Sequence, residues 1–173
     1  MTDFKRFIRD IPDFPKPGIV FKDITPLLAD AGAFRDMITA LVDPYRGRVD
    51  AVLGIESRGF IIGAAAALAL GTGIAIVRKP GKLPFRTHRA SYQLEYGADT
   101  LEIHHDAVGQ GHRVLLIDDL LATGGTASAA IELIGRCGAS VTACAFVIEL
   151  AFLDGRKRVA PHEVHSLIRY DRP

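Results

Sequence analysis

The segment Val114–Thr126 constrains the fold of this chain more than any other. It reads Val-Leu-Leu-Ile-Asp-Asp-Leu-Leu-Ala-Thr-Gly-Gly-Thr. Its apolar start, Val114–Ile117, does not alternate with polar residues, which predicts a strand buried on both faces of a parallel sheet. Burial of two adjacent unpaired carboxylates is strongly unfavourable, so Asp118 and Asp119 are expected to end this strand. They would then lie at the edge where open α/β sheets bind ligands.

A glycine-rich turn and a helix follow the acid pair. Gly124 and Gly125 permit positive φ angles and close approach of the backbone, and Thr123 and Thr126 supply hydroxyls. Free N–H groups and the dipole at the start of a helix favour an anion, so Ala122–Thr126 is predicted to cradle a phosphate. The acids could then hold sugar hydroxyls or help hold a magnesium ion. The alternative is an ordinary strand–turn–helix corner, since the spacing matches neither a Walker loop nor the dinucleotide fingerprint.

Two further strand ends carry charged residues. The predicted strand Asp50–Ile55 precedes Glu56-Ser57-Arg58-Gly59, where Arg58 could bind a phosphate or pair with Glu56. The predicted strand Gly73–Val77 precedes Arg78–Arg89, which holds five Lys or Arg and no acidic residue. This basic segment indicates a second anion site, and the alternative is a solvated basic loop.

The order of elements and the composition bound the fold and the partners. Strands alternate with helices through the middle of the 173 residues, which predicts one α/β domain with a mostly parallel sheet flanked by helices. A net charge of +1 argues against an extended nucleic-acid surface, and no stretch approaches a membrane span. Cys137 and Cys144 lack metal-ligand spacing and lie in apolar contexts, so free thiols and a reducing, cytoplasmic compartment are expected.

With these motifs in place, Ile117–Thr126 resembles the signature of the type I phosphoribosyltransferases, which bind 5-phosphoribosyl 1-diphosphate (PRPP). The variant of the signature resembles that of the members that act on adenine. The resemblance implies the family's fold in a single domain over 1–173, with a hood over roughly 10–28 and a mobile lid loop over roughly 82–96. It also implies that Asp118 and Asp119 contact the ribose hydroxyls and that the Ala122–Thr126 turn holds the 5′-phosphate.

Other motifs extend the resemblance to the base. Asp13–Ile24 is similar to the hood of the adenine-using members, in which an aromatic ring stacks on the purine. The resemblance assigns that ring to Phe21 and the reading of the purine edge to backbone groups of Val20 and Lys22. Leu150, after a predicted strand over 141–148, matches a further base contact, although core packing alone would also explain it.

The resemblance also assigns residues to pyrophosphate. Ser57 and Arg58 match the family's pyrophosphate loop, and Arg58 would act in catalysis. Lys79 and Lys82 match residues that contact pyrophosphate. Phe85–Arg89, at the tip of the same basic segment, is more basic than the family pattern.

The segment Ser91–Gly97 resembles the family's mobile-loop motif. Within it the resemblance makes Glu95 the proton acceptor or transition-state stabiliser and Tyr96 a substrate contact. Alternation from Ala90 to His105 predicts a hairpin here, and without the resemblance Glu95 would be an exposed strand residue.

The resemblance implies transfer of the 5-phosphoribosyl group of PRPP to adenine, giving AMP and pyrophosphate, a glycosyl transfer of purine salvage. Mg²⁺ is the expected cofactor, held mainly through PRPP, and no protein metal ligand is assigned. The alternatives are the same transfer to another base, such as a 6-oxopurine, or a non-catalytic sensor of PRPP or nucleotides on the same fold. The apolar helix predicted over Phe60–Leu70 could form a subunit contact, so a homodimer is expected.

Overall fold

The computed structural model describes residues 2–93 and 98–172. The strands, in chain order, are β1 (Arg9–Ile11), β2 (Phe21–Asp23), β3 (Ala51–Ile55), β4 (Gly73–Val77), β5 (Thr87–Gln93), β6 (Ala98–His104), β7 (Arg113–Leu121), β8 (Ser140–Leu150) and β9 (Glu163–Tyr170). The helices are α1 (Thr25–Ala29), α2 (Ala31–Val42), α3 (Arg58–Leu70), α4 (Gly125–Arg136) and α5 (Gly155–Val159). Short 3₁₀ turns lie at Phe4–Phe7, Asp43–Tyr45 and Ala151–Leu153.

A parallel sheet of five strands, in the order β4-β3-β7-β8-β9, forms the centre of the molecule. Alternate residues of β7 point to opposite faces: Leu115 and Ile117 pack in the cluster that contains α2 and α3, and Val114 and Leu116 pack in the cluster that contains α4. The sequence prediction of a strand buried on both faces, within an α/β fold, is therefore confirmed.

The sequence had predicted that the acid pair ends this strand, but Asp118 and Asp119 lie within β7. The strand continues to Leu121, because Leu120 and Leu121 pair with Ile148 and Glu149 of β8. Asp119 can lie within a buried strand because a cation from α3, described below, neutralises it. Asp118 and Asp119 therefore lie in the last four residues of β7, and the glycine-rich turn begins after Leu121.

The segment predicted as a hood, residues 10–28, contains an antiparallel pair of strands. β1 and β2 pair in the register Arg9↔Asp23 to Ile11↔Phe21. Four prolines lie in this segment, yet α1 begins at Thr25, because Pro26 occupies its first turn, where no intrahelical N–H bond is needed.

A second antiparallel pair, β5 and β6, lies outside the central sheet, in the register Thr87↔His104 to Gln93↔Ala98. The hairpin predicted between Ala90 and His105 is confirmed in its described strands. The last residues of the basic segment Arg78–Arg89, from Thr87, belong to β5. Much of the range predicted as a lid loop, 82–96, is therefore strand.

The helices agree closely with the apolar patterns. α2 buries Ile38, Leu41 and Val42, which recur in the sequence at helical spacing. α4 starts at the predicted glycine turn and buries the stripe that includes Ala127 and Ile134. Among the helices that the structure describes, none is both long and apolar enough to cross a membrane.

Candidate functional site

The polar strand ends that the sequence singled out meet at one edge of the central sheet. β3 and β4 end side by side, with Ile55 opposite Val77, and β7 runs along the other side of β3. The segments that follow are Glu56–Arg58, Arg78–Lys82 (called here the basic loop), and Ala122–Thr126 (called here the phosphate loop). Because the carboxyl ends of parallel strands share an edge, three separate segments of the chain converge on one region.

The phosphate loop encloses a small cavity of about 80 Å³. Its lining combines the phosphate loop with parts of β7, α4 and β8, namely Asp118, Leu120–Ala127 and Phe146. Gly124 adopts φ +79° and caps α4, so the first N–H groups of the helix have no intrahelical partner. In the described part of the chain the hydroxyls of Thr123 and Thr126 make no hydrogen bond to protein. The cavity therefore offers backbone and hydroxyl donors at the positive end of a helix dipole, which suits a phosphate.

The two carboxylates of the acid pair lie in different environments. Asp119 is only 6% exposed, and its carboxylate forms an ion pair with the Arg58 guanidinium. Burial, and then the neighbouring charge of Asp119, raise the pKa of Asp118 well above the usual value of a carboxyl group. Asp118 also lies against the start of α3, where a Cβ on Gly59 would be 2.8 Å from its Oδ1. The pair thus presents one charge-compensated carboxylate and one poorly solvated carboxyl beside the phosphate loop.

Glu56 connects the end of β3 to the basic loop. Its Oε2 accepts hydrogen bonds from Arg78 Nε at 3.1 Å and from the Lys79 N–H at 3.0 Å, and its Oε1 pairs with Lys82 Nζ at 2.5 Å. Burial raises the pKa of Glu56, but the bonds from Lys82, Lys79 and Arg78 outweigh it and leave the pKa lowered. The sequence had offered Arg58 as a partner of Glu56; that alternative is wrong, because Arg58 turns to Asp119.

Lys79, the other predicted lysine of the basic loop, turns towards the β5–β6 pair. Lys79 Nζ forms an ion pair with Asp99, whose carboxylate also accepts a hydrogen bond from the Tyr92 hydroxyl at 3.2 Å. Each predicted pyrophosphate cation, Arg58, Lys79 or Lys82, thus has its own carboxylate partner in this structure. The sequence did not identify Asp99, because nothing local marks it as a partner of a loop twenty residues away.

The hood brings its aromatic residues to the same region. The Arg58 guanidinium carbon lies 5.4 Å from the centroid of the Phe21 ring, and the Phe14 ring meets Phe21 edge-on at 5.2 Å. Val20 is exposed, whereas Lys22 is buried, with its Nζ 2.9 Å from Asp10 and 4.5 Å from the Tyr170 ring centroid. The Lys22 side chain is therefore already engaged, so only its backbone is left to read a ligand, as the sequence had indicated.

The end of β8 carries a buried acid that the sequence missed. Glu149 is 3% exposed and accepts two hydrogen bonds from Arg156, at 2.6 and 2.7 Å. Arg156 is 43% exposed, so its charge is partly solvated and at the same time paired with the buried carboxylate. Leu150, the predicted base contact, lies next to Glu149 and is half-buried. The only signal in the sequence was an acid and an arginine seven residues apart across a turn.

Two predicted residues, Glu95 and Tyr96, lie outside the described residues. Within residues 2–93 and 98–172, no group of three or more His, Cys, Asp or Glu side chains could hold a metal ion. A cavity of about 890 Å³ lies between the N-terminal turn, α2 and β9, and no predicted site residue lines it.

The family model described as a phosphoribosyl transferase domain matches residues 22–168. A curated relative from Solibacter usitatus (strain Ellin6076), named adenine phosphoribosyltransferase, is 58% identical over 173 residues, covering 99% of this chain and 100% of the relative.

Two solved structures are also similar over nearly the whole chain. The crystal structure of adenine phosphoribosyltransferase from Thermoanaerobacter pseudethanolicus superposes with a TM-score of 0.94 at 51% identity, covering 97% of this chain and 98% of that one. The Saccharomyces cerevisiae enzyme of the same name, complexed with an imino-altritol bisphosphate and adenine, gives a TM-score of 0.90 at 40% identity, covering 95% and 96%.

Proposed function

The chain belongs to the phosphoribosyltransferase family, and from that membership we propose that it transfers the 5-phosphoribosyl group of PRPP to adenine, giving AMP and pyrophosphate. The observation that carries this function is the position of Arg58. Its guanidinium pairs with Asp119 and lies 5.4 Å from the centre of the Phe21 ring, so one side chain joins the acid pair to the hood aromatic. The similar proteins named above are adenine phosphoribosyltransferases, one of them solved with adenine bound.

Each part of PRPP has a matching group at the sheet edge. The 5′-phosphate enters the phosphate loop, where the N–H groups at the start of α4 and the Thr123 and Thr126 hydroxyls donate to it. The ribose hydroxyls donate to Asp118 and Asp119. The pyrophosphate meets Ser57, Arg58, Lys79 and Lys82.

Adenine lies between the hood and the end of β8. The Phe21 ring stacks on its π-face, with the Arg58 guanidinium beside the ring. The backbone of Val20 and Lys22 reads the purine edge, and Leu150 packs against the base. An aromatic face alone does not separate purines, so the choice of adenine depends on the backbone groups of the hood.

Displacement at the anomeric carbon passes through an oxocarbenium-like state, and the leaving pyrophosphate gains negative charge. Arg58, Lys79 and Lys82 compensate that charge. In this structure these cations are paired with Asp119, Asp99 and Glu56, so PRPP must share or replace those partners on binding. The partner carboxylates hold the cations near the site before the substrate arrives, which lowers the reorganisation needed for the reaction.

A proton must leave the purine as the new bond forms, and Glu95 is proposed to accept it or to stabilise the transition state, with Tyr96 contacting the substrate. Glu95→Ala would lower kcat by about 10²-fold or more, the usual range for loss of a positioned acid or base. Steady-state kinetics measure this directly. Full turnover by the variant would exclude Glu95 from the role.

The carboxyl groups at this site suit a magnesium ion that is bound together with the phosphates of the substrate. Mg²⁺ commonly binds through one or two carboxylates, waters and substrate phosphates. Asp118 is a carboxyl beside the phosphate loop that forms no salt bridge within the described part of the chain. Asp118 would therefore hold the ion together with PRPP. When bound, the ion would supply positive charge to the pyrophosphate.

The exposed face of α3 supports a homodimer. Leu68 is 84% exposed and Ile61 51% exposed, and their spacing places both on one helix face with the exposed Ala64. An apolar face of this kind is typical of a subunit contact. Leu68→Lys would produce a monomer in analytical ultracentrifugation, whereas a wild-type mass that stays monomeric at all concentrations would contradict the proposal.

Cys137 and Cys144, both free thiols, support a reducing, cytoplasmic compartment.

Incubation with PRPP and Mg²⁺, with adenine, hypoxanthine, guanine, xanthine or orotate offered separately, tests the function by chromatography of the nucleotide product. We expect product with adenine alone. Product with a 6-oxopurine instead would overturn the assignment of Val20, Phe21 and Lys22. Tight PRPP binding without product from any base would favour a sensor over an enzyme.

A further inference from the structure

The back of the phosphate loop, on the side away from the cavity, is packed against the start of α5. A Cβ on Gly155 would lie 2.3 Å from the Ala122 carbonyl oxygen, and a Cβ on Gly124 would lie 2.6 Å from the Gly155 carbonyl oxygen. The two backbones are therefore in direct contact, with no side chain between them. Any displacement of Gly155 must displace the phosphate loop with it.

Helix α5, which contains Gly155, is too short to be stable without tertiary contacts. α5 has five residues, and its N-cap, Asp154, has φ 55° and makes no capping hydrogen bond. Isolated helices of this length are unstable in water. At its far end Val159 is buried in the cluster that contains α4, which leaves the Gly155 end to be held by other contacts.

Arg156 supplies those contacts. Its Nε and Nη2 donate to the two carboxylate oxygens of Glu149, its Nη1 donates to the Val164 carbonyl at 3.0 Å, and its Nη2 also lies 3.2 Å from Ser166 Oγ. Glu149 is in turn bonded by the Ser166 hydroxyl at 2.6 Å and by Arg169 at 3.3 Å. The planar guanidinium thus fastens the first turn of α5 to both β8 and β9.

Glu149 is also linked to the strand that leads into the phosphate loop. It pairs with Leu121, the last residue of β7, and Ala122 follows directly. The phosphate loop is consequently fixed at two points by the same residue: the Glu149 backbone holds its start through the β7–β8 ladder, and the Glu149 carboxylate holds its back through Arg156 and Gly155. A bidentate charged pair with a 3% exposed acceptor is among the more rigid side-chain links available to a protein.

We propose that Arg156, held by Glu149, is a positioning residue that sets the shape of the phosphate loop and thereby the affinity for the 5′-phosphate. Arg156 does not touch substrate. This inference rests on the proposed function, since it assigns the 5′-phosphate of PRPP to the loop. It predicts an effect on the phosphate-bearing substrate that is not shared by the base.

The test compares Arg156→Ala and Arg156→Lys with the control Lys157→Ala. Lys157 is the next residue of α5, and among residues 2–93 and 98–172 its charge is paired only with the exposed Asp154. We expect Arg156→Ala to raise the KM for PRPP about tenfold, because small misplacements of a substrate-binding group have effects of that order or larger. The KM for adenine should change little, Lys157→Ala should match the wild type, and Arg156→Lys should fall between, since lysine cannot form the fork.

A binding measurement separates positioning from loss of folding. Isothermal titration with ribose 5-phosphate should show affinity lowered about tenfold in Arg156→Ala while circular dichroism at the same temperature remains that of the folded protein. Unchanged ribose 5-phosphate affinity and KM for PRPP, with only a lower Tm, would reduce Arg156 to a structural role and overturn the inference. A wild-type protein that neither binds ribose 5-phosphate nor turns over PRPP would instead overturn the proposed function, and this inference with it.

Discussion

Gly124→Ala should damage the phosphate loop for two separable reasons. The first is conformational, because Gly124 has φ +79°, where an L side chain costs about 1–2 kcal/mol. The second is steric, because the new Cβ would lie 2.6 Å from the Gly155 carbonyl oxygen and 3.1 Å from Arg158 Cβ. Restoring an ordinary 3.4 Å contact requires a shift of about 0.8 Å, the difference between 3.4 and 2.6 Å, in the phosphate loop or in α5.

The size of the effect follows from the two contributions. Forced packing in a filled site costs typically about 1–3 kcal/mol, which with the conformational cost gives about 2–5 kcal/mol of lost stability. A displacement of this size in a substrate-binding loop is expected to lower kcat/KM for PRPP by up to about 10²-fold. Urea denaturation and steady-state kinetics measure the two quantities.

Two other glycines isolate the contributions. Gly47 has φ +70° with nothing within 4 Å of its Cβ position, so Gly47→Ala carries the conformational cost of about 1–2 kcal/mol without a clash. Gly135 lies within α4 with open space around it, so Gly135→Ala should stabilise by about 0.5–1 kcal/mol. The reasoning would be refuted if Gly124→Ala lost no more stability than Gly47→Ala and kept the wild-type KM for PRPP.

Three further predictions concern the base, the acid pair and the thiols. Phe21→Leu should raise the KM for adenine about tenfold, the loss expected for one aromatic–base stack, with the KM for PRPP nearly unchanged. Burial raises the pKa of Asp118, so the folded protein keeps this proton to higher pH than the unfolded chain does. The stability of the protein therefore falls as the pH rises from the unfolded pKa of Asp118 through its folded pKa. Asp118→Asn should raise the Tm of the ligand-free protein at neutral pH and have little effect near pH 4. Burial raises the pKa of Cys144 to about 12 and also raises the pKa of Cys137, which is less buried. Mass spectrometry should therefore show that iodoacetamide labels Cys137 in the folded protein and Cys144 only after unfolding.

Each of these three has a control or an opposite outcome within the chain. Phe14→Leu changes the neighbouring hood ring without removing the stacking face, and an adenine KM raised equally in both variants would contradict the assignment. Asp50, whose pKa is lowered by hydrogen bonds from Arg113, should show the reverse sign, since Asp50→Asn removes stability present above the unfolded pKa. Rapid labelling of Cys144 in the native protein would contradict its burial.

Local sequence patterns determined the elements of the site. The unbroken run Val114–Ile117 predicted a strand buried on both faces, and Gly124 with the following apolar stripe predicted the start of α4. These predictions succeeded because strand burial and helix start depend on residues that are neighbours in the chain, through side-chain periodicity and permitted φ angles. The motifs around Asp118 and Phe21 gave the family by resemblance, and the family is shown.

The tertiary structure decided which charges meet. Arg58 pairs with Asp119, 61 residues away, rather than with Glu56 two residues before it, and Glu56 turns to the basic loop. The Arg58–Asp119 pair also allows β7 to continue past its acids, and Arg156 pairs with Glu149 of a neighbouring strand. Ion pairs form between whichever opposite charges the packing of separate elements brings within a few ångströms, and no short-range pattern encodes that distance.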